Sequence, residues 1–535
     1  MVRSLVSPPP IPAPPGLEVL RSARTVSGGT LLSRVFGLLR DTALAHTLGA
    51  GAAADAFAIA FRIPNLLREI LGEGALTSAF LPAYAGHRAA GNPHAAHGLF
   101  RTSLTLLAGV LLLLTLAATG FFLLVPPEAF GSDDPAKVRL TLDLAAWCFP
   151  YALLVCASAL FAAVLQAEGR FAVPALAPAA MNIAWVGGIF LLLPLFPATP
   201  GGRATAVAAA VLVGGAAQVA VALPLLARLG IPLRPALRTR DPALRTMLRR
   251  MGPAVLGLAP VQANLLVNAL LAEAFIAGDG ANSALYYSSR ILQLPLALIG
   301  VSVAVASFPL FSRLAAEGKR GELGRAVSSS LRATAFLAIP AAAGLAVLAL
   351  PVASVLFRHG RFTGEDAAAA AEVLRFAVVG LPAFCGLQVM TRAFHASGDT
   401  ATPVRVGAWS VAANFAGNLL LVGPLGAGGL AFSTALVAWG NLAVLVFLAR
   451  NRLRIRGLRS VGRTVVRTAA LSAPCVLAAA GAAALAGRFL GDTGFGPALA
   501  SALLGTMAGA AAFALPALAI KDPEALRLKG ALLRG

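Results

Sequence analysis

Residues 28–49 read GGTLLSRVFGLLRDTALAHTLG, a stretch with the length and hydrophobicity of a membrane-spanning helix. Three full charges nevertheless lie inside it, on Arg34, Arg40 and Asp41. A charged side chain near the centre of a bilayer costs about 3 kcal/mol or more, so such residues face a protein interior or a water-filled cavity. The stretch therefore predicts a membrane protein with an internal polar site.

The composition of the whole chain supports this interpretation. Of the 535 residues, 58% are hydrophobic and 12% are charged, whereas soluble domains are roughly 45–50% apolar and 25% charged. The mean hydropathy is +0.81. Apolar runs of roughly 20 residues, the length that spans a bilayer, recur about fourteen times. The predicted fold class is an all-α polytopic membrane protein with about fourteen transmembrane helices.

Basic residues are concentrated in alternate loops. Residues 228–250 contain seven arginines against one acid, and residues 450–467 contain seven arginines and no acid. The loops at 49–54 and 278–284 contain no lysine or arginine. Because cytoplasmic loops of membrane proteins collect these residues, both termini are predicted to lie in the cytoplasm. The same asymmetry accounts for most of the net charge of +21, so nucleic acid is not expected as a partner.

Two blocks of the sequence recur at nearly one offset. Arg62 and Gly72 recur as Arg290 and Gly300, and a block that begins at Ala167 recurs from Ala396. The offset spans six helices, which predicts two parallel six-helix lobes related by an axis along the membrane normal. The predicted divisions are a disordered Pro-rich tail (1–20), an N-lobe (21–230), a C-lobe (231–455), and two extra helices with a basic cytoplasmic tail (456–535).

Charged residues in corresponding early helices of the two lobes form the predicted site, because two-lobed transporters bind their cargo between the halves. The arginines Arg34, Arg62, Arg68 and Arg290 outnumber the acids Asp41 and Asp55. A surplus of arginine favours an anionic cargo, since guanidinium binds phosphate through two parallel hydrogen bonds. The alternatives are that these charges pair as buried salt bridges, or that the later ones reach the headgroup region.

Several sequence runs resemble one family. The runs SRVFGLLRDTALAHTLG at 33–49, YYSSRILQLP at 286–295 and FRHGRFTGEDA at 357–367 are similar to those of the MurJ (MviN) family of bacterial lipid II flippases, in the MOP exporter superfamily. The resemblance covers twelve of the predicted spans in order. It implies an inner-membrane transporter that moves lipid II, the undecaprenyl-pyrophosphate-linked peptidoglycan precursor, from the cytoplasmic to the periplasmic leaflet.

The resemblance also assigns residues. The cavity arginines of the family match Arg34, Arg40, Arg68 and Arg290, and its acids match Asp41, Asp55 and Glu73. Its last two helices border a groove for the lipid tail, for which the small residues of 471–487 leave room, although simple helix packing explains them equally well. Some members bind sodium through a cluster with carboxylates. The matching positions here are the uncharged Asn268, Asn414, Asn418 and Thr434.

Enzymatic functions find no support in the sequence. It contains no G-x-x-x-x-G-K-[ST] and no H-E-x-x-H motif, so neither a P-loop nor a zinc protease site is predicted. Transport is expected to use no cofactor and to draw on the membrane potential or on a sodium gradient. The competing functions are other exporters of this architecture, which carry drugs or O-antigen lipid intermediates. Membrane lipids are expected partners, and the sequence identifies no partner among proteins of cell-wall synthesis or division.

Overall fold

The computed structural model describes residues 15–131, 133–237, 241–453, 457–491 and 494–532. Most of the predicted Pro-rich tail, residues 1–14, and the side chain of Glu73 lie outside the described part. The described residues form helices and connecting loops without a β-strand. The helices are α1 Pro15–Leu48, α2 Ala52–Leu67, α3 Thr77–Ala89, α4 Pro93–Leu124, α5 Pro135–Cys148, α6 Tyr151–Ala167, α7 Ala172–Leu192, α8 Pro200–Arg228, α9 Pro242–Phe275, α10 Ala281–Pro295, α11 Ser302–Ala316, α12 Arg320–Val347, α13 Ala349–Phe357, α14 Gly364–Ala377, α15 Leu381–Ala396, α16 Ala401–Arg452, α17 Leu458–Leu490, α18 Phe495–Ala519 and α19 Pro523–Leu532.

The first helix begins earlier than the sequence indicates. The sequence predicts a tail that extends to residue 20, but α1 starts at Pro15. Proline is well tolerated at the first helical position, because its missing N–H has no partner within the helix there and its φ is already helical. Residues 15–20 therefore belong to the first helix, and the prediction of a disordered tail is wrong for this part.

Ten helical segments of the described chain are long and apolar enough to cross a membrane. One of them, α16, is two antiparallel arms, because Gly426 adopts φ 54° and ψ −136° and reverses the chain. Only glycine enters this region of backbone conformation readily. The predicted count of about fourteen is reached when the more polar α1, the segment from α2 to α3, and α9 are added to these crossings.

The two lobes repeat one another in backbone detail. In the N-lobe, α2 passes into α3 through a π-helical turn at Arg68–Leu76. In the C-lobe, α10 passes into α11 through a second π-helical turn at Leu296–Val301. The starts of the two turns are separated by the same offset as Arg62 and Arg290 in the sequence. π-Helical turns are rare, so their coincidence at one offset supports a true repeat.

A close packing contact repeats as well. Around Gly72, a Cβ atom would meet Cys156 Sγ at 3.7 Å, and around Gly300 it would meet Cys385 Sγ at 3.0 Å. The two cysteines are separated by the offset that the second repeated block shows in the sequence. At Gly300 a side chain would be too close to α15, so glycine permits the approach, whereas at Gly72 the distance to α6 is that of ordinary van der Waals contact. The predicted architecture of two parallel six-helix lobes is confirmed.

The remaining helices connect and extend the lobes. The start of α9 packs on the N-lobe, where Met247 Sδ lies 3.7 Å from Ser103 Oγ, and the rest of α9 packs on α16. The hairpin of α17 and α18 packs on α12. The short α19 is held there by two ion pairs, Arg332–Glu524 at 2.9 Å and Arg467–Asp522 at 2.5 Å.

Candidate substrate site between the lobes

The charges of the opening stretch are partly paired with each other. Arg40 donates from Nε and Nη2 to Oδ1 of Asp41, at 3.1 and 2.7 Å, and from Nη1 to Oδ1 of Asn182 on α7 at 3.1 Å. Its guanidinium also lies 4.7 Å from the centre of the Trp185 ring. Arg40 is therefore held inside the N-lobe, and its charge is largely compensated by a carboxylate that is only 4% exposed.

The C-lobe reaches the same carboxylate. The hydroxyl of Tyr286 on α10 donates to Oδ1 of Asp41 at 2.9 Å, and Arg290 Nε lies 3.5 Å from Oδ2. The guanidinium of Arg290 is 4.6 Å from the centre of the Tyr286 ring. Asp41 is thus shared between Arg40 and Arg290, so the two arginines together carry one positive charge more than the acid neutralises. Charged residues of α1 and α10, one helix from each lobe, thus meet at Asp41.

Arg34 lies on the same face of α1 as Asp41, because seven residues are close to two helical turns. The distance along the axis is about 10 Å. The Arg34 side chain is exposed, and it makes no ion pair with any side chain in the described part of the chain. Of the predicted arginines, it offers the most accessible guanidinium on the face that points toward α10.

Arg62 and Arg68 of the second predicted span contact α9 and their own helix. Arg62 donates to the carbonyl of Leu265 on α9. Arg68 donates to Asn65 at 2.9 Å and lies 3.3 Å from Glu69 Oε1. Glu69 in turn accepts a hydrogen bond from Gln262 on α9. These side chains are half-buried and continue the polar lining between the lobes; the position predicted at Glu73 lies outside the described side chains.

Asp55 has a different role from the arginines. Its carboxylate is 1% exposed and accepts hydrogen bonds from the Gly280 N–H at 2.8 Å and from the Ser283 N–H and hydroxyl at 2.7 and 2.6 Å. The helix α10 has Gly280 as its N-cap and no capping side chain of its own, so Asp55 of the other lobe caps it. Its oxygens are occupied by this contact and are not offered to a cargo.

A buried lysine joins Asp55 to further acids of the C-lobe. Lys137 Nζ, on α5, lies 3.5 Å from Asp55 Oδ2, 2.8 Å from Glu273 Oε1 and 3.2 Å from Asp279 Oδ1. We call Lys137, Asp55, Glu273 and Asp279 the lysine–acid cluster. The loops beside it are those with few basic residues, so it lies at the end of the bundle predicted to face the periplasm.

The four residues predicted as a cation site do meet in one place. Asn268 and Asn414 both donate to Thr434 Oγ1, at 3.2 and 3.0 Å, and Asn418 donates to Asn268 Oδ1 at 2.6 Å. Oδ1 of Asn414 and of Asn418 are buried and have no partner among the described residues. Neutral amide oxygens can bind a cation, but more weakly than the carboxylate oxygens that calcium sites use, and this network contains no carboxylate.

An apolar groove with a volume of about 990 Å³ lies along one face of α10. The residue that follows Arg290 in α10, Ile291, lines it, and α19 contributes Lys529. Between these residues the walls come from α12, α17 and α18 and are hydrophobic or small. They include Pro340, Gly344, Cys475, Ala479, Gly505, Gly509, Ala510 and Ala514. Helix α10 thus separates the apolar groove on one face from the cationic site on its neighbouring face.

Several residues of the site were not predicted from the sequence, namely Lys137, Asn182, Tyr286, Ser283 and, as a partner of Lys137, Glu273. A signal for Lys137 was available. It is one of only four lysines in the chain, and the other three lie in segments predicted to be cytoplasmic. The lysine predicted on the periplasmic side therefore indicates acidic partners nearby, and three acids contact it in the structure.

The fold and the site define a two-lobed membrane transporter with an arginine-rich site between its lobes. The sequence profile described as "Lipid II flippase MurJ" matches residues 44–500. The chain belongs to this family.

Individual relatives agree with this assignment. A protein of Vibrio cholerae named "Probable lipid II flippase MurJ" is 34% identical over 440 residues, which cover 80% of this chain and 82% of that protein. A protein of Burkholderia cenocepacia named "Lipid II flippase MurJ" is 31% identical over 449 residues, which cover 83% of this chain and 85% of that protein.

Solved structures have the same fold. One described as "Lipid II flippase MurJ, inward closed conformation" superimposes with a TM-score of 0.74 at 21% identity, covering 92% of this chain and 99% of that one. An inward-facing MATE family transporter of the MOP superfamily gives a TM-score of 0.65 at 16% identity, covering 79% and 94%. The predicted fold class and the resemblance to the MurJ family are confirmed.

Proposed function

We propose that this protein is a lipid II flippase of the bacterial inner membrane. It moves the undecaprenyl-pyrophosphate-linked precursor of peptidoglycan from the cytoplasmic to the periplasmic leaflet by alternating access. Both termini then lie in the cytoplasm, as the basic loops indicate. The observation that carries the proposal is that one helix, α10, borders both the arginine-rich site, through Arg290, and the long apolar groove, through Ile291 on its neighbouring face.

The arginines bind the pyrophosphate in this proposal. Arg34 is exposed on the face of α1 that points toward α10, and Arg290 shares the Asp41 carboxylate with Arg40. Both guanidinium groups can therefore accept an anion without first giving up a strong ion pair. A guanidinium binds two phosphate oxygens at once, so it fixes the orientation of the head group as well as its charge.

The groove holds part of the isoprenoid tail. Its walls carry almost no polar atoms, and its small residues on α17 and α18 leave room for a chain to approach the helix backbones. A volume of about 990 Å³ is at the upper end of ordinary ligand pockets. The tail thus stays in an apolar environment while the head group crosses between the lobes.

The test is to deplete the protein and measure on which leaflet lipid II accumulates. Under the proposal, lipid II accumulates on the cytoplasmic leaflet and wild-type protein restores export. Arg34→Ala and Arg290→Ala should insert normally and fail to restore it. The matched control is Arg313→Ala, at an exposed arginine beside Glu317, which should restore export fully.

The same experiment separates the competing exporters. If lipid II still reaches the outer leaflet while an O-antigen intermediate accumulates inside, the cargo is another polyprenyl-linked saccharide. If neither lipid changes side, the function as a lipid flippase is excluded.

A further inference from the structure

The lysine–acid cluster is the strongest feature that the proposed site does not use. It joins two lobes at one end of the bundle through a single buried cation. Lys137 and Asp55 belong to the N-lobe, on α5 and α2, whereas Glu273 and Asp279 belong to the end of α9 and the loop before α10. The side chains of Lys137 and Asp55 are 7% and 1% exposed, so their contact is shielded from the aqueous phase, whereas Glu273 and Asp279 are partly exposed.

The charges of the cluster are not balanced without the lysine. Three carboxylates approach Lys137 Nζ within 3.5 Å, and one of them, Asp55, is 1% exposed. Without Lys137, Asp55 and Glu273 would face each other across the seam between the lobes as like charges. Because Asp55 is buried, this repulsion is only partly screened by water, and it favours separation of the lobes. Lys137 therefore converts a repulsive contact between the lobes into an attractive one.

Lys137 also has a partner after the lobes separate. If α10 and the end of α9 move away from the N-lobe, Asp55 loses its hydrogen bonds from Gly280 and Ser283, and Lys137 loses Glu273 and Asp279. Lys137 and Asp55 remain together, because both belong to the N-lobe. The carboxylate is thus never left as a buried charge without a counterion, which would be strongly unfavourable.

We propose that Lys137 is the positioning residue of the closed seam, and that its charge sets how often the seam opens. This inference rests on the proposed alternating-access transport. It assigns to Lys137 an electrostatic role in the equilibrium between the closed and open states, separate from the binding of the cargo by the arginines.

The experiment measures the opening of the seam and not the transport of the cargo. Ala58 is 8% exposed and lines a small cavity between the lobes with Ser283 and Tyr286. A single cysteine at position 58, in a protein whose four native cysteines are replaced by serine, reacts with a membrane-impermeant maleimide only when the seam opens to the periplasm. The labelling rate in whole cells then reports the population of the open state.

Lys137→Met should raise the labelling rate at position 58 at least tenfold, which corresponds to about 1.4 kcal/mol. Lys137→Arg keeps the charge and should label close to the wild-type rate. The matched control is Arg139→Met on the same helix, since Arg139 pairs with Asp143 of its own helix at 2.6 Å. That variant should leave the labelling rate unchanged.

Three outcomes would overturn the proposal. They are a wild-type labelling rate in Lys137→Met, an equal acceleration in Arg139→Met, and an equal acceleration in Lys137→Arg. If Lys137→Met does not fold, Glu273→Gln removes one contact from the other lobe and should accelerate labelling in the same direction; no acceleration there counts against the proposal. Because the assay reads thiol accessibility and not the leaflet of lipid II, a failure here leaves the flippase proposal in place, and a failure of the leaflet assay leaves this one in place.

Discussion

Tyr286 of the C-lobe donates its hydroxyl to Asp41 of the N-lobe at 2.9 Å, and the same tyrosine ring lies against Arg290. One side chain thus holds the carboxylate that Arg40 and Arg290 share. The hydroxyl and the ring make separate contributions, because phenylalanine keeps the cation–π contact and loses only the hydrogen bond.

Tyr286→Phe should therefore lower stability by about 2 kcal/mol, the value for one hydrogen bond to a charged group. Asp41→Asn should lower it more, by about 3–5 kcal/mol, since it leaves the buried Arg40 without its counterion. The measurement is the midpoint of thermal aggregation of purified protein, read by size-exclusion chromatography after heating. Asp143→Asn is the control, because that acid is nearly half exposed and its pair is worth at most about 1 kcal/mol. Equal midpoints for Tyr286→Phe and Asp41→Asn would contradict the shared-carboxylate arrangement.

Lysine should not replace the arginines that bind the pyrophosphate. An ammonium keeps the charge but cannot make two parallel hydrogen bonds to one phosphate group. Arg34→Lys and Arg290→Lys should therefore restore growth of a depleted strain only partly, whereas the alanine variants of Arg34, Arg68 and Arg290 should not restore it. Arg313→Lys is the control and should behave as wild type. Full growth of all three alanine variants would contradict the proposal that these arginines bind the pyrophosphate.

The groove should discriminate cargoes by tail length. Ala514 lines it, whereas the neighbouring Ala511 is exposed and does not line it. Ala514→Trp should slow flipping of a long-chain lipid II in reconstituted vesicles by at least about tenfold, since a tryptophan adds a large apolar volume to the channel. A short-chain analogue should be affected less. Ala511→Trp should leave both rates unchanged. An equal decrease of the flipping rate for the two tail lengths in Ala514→Trp would contradict the proposal that the groove holds the tail.

The membrane potential should drive transport. The cargo carries about two negative charges, and moving each outward from a negative interior gains about 2.3 kcal/mol per 100 mV. The neutral network of Asn268, Asn414, Asn418 and Thr434 offers no comparable attraction for sodium. Collapsing the potential should therefore stop flipping, and removing sodium should slow it mildly at most.

A variant with a carboxylate in this network tests whether its lack of charge explains the weak dependence on sodium. Asn418→Asp adds the charge that a cation site requires, so flipping by this variant should become sensitive to sodium. If wild-type protein instead flips at full rate without a potential and stalls without sodium, the proposed energetics are wrong and the flippase assignment is unaffected.

Topology can be tested with reporter fusions. Fusions in the loops at 228–250 and 450–467 should report the cytoplasm, because these loops carry seven arginines each. Fusions near residue 130, and in the connection between α17 and α18, should report the periplasm. Termini on opposite sides of the membrane would remove the parallel relation of the lobes and the location of the site between them.

The architecture was predictable because it depends on long-range regularities. Apolar length, loop charge and one repeated offset each involve many residues, so a few irregular positions do not obscure them. The repeat even extends to the π-helical turns that follow Leu67 and Pro295. The start of α1 was misplaced because a run of prolines reads as a tail, although the last proline is a good first helical residue.

The roles of individual charges were less predictable. Asp55 and Asp41 are both acids inside predicted spans, and only the structure shows that one caps a helix of the other lobe while the other balances arginines. A sequence pattern shows which residues share one face of a helix, but it does not show which neighbouring helix that face contacts. Lys137 was not predicted as a site residue for the same reason, since its three acids are all far from it in the chain.

The contiguity of Arg290 and Ile291 has a consequence for pharmacology. A competitive inhibitor of this protein needs an anionic head and a slender apolar tail joined at one end, because the two recognition elements lie on neighbouring faces of one helix, α10. A compound with only the tail would compete with every lipid in the bilayer, and one with only the head would lack most of the contact area. We expect an amphiphile whose head binds the arginines and whose tail fits the groove to be more selective than a compound that carries only one of these two parts.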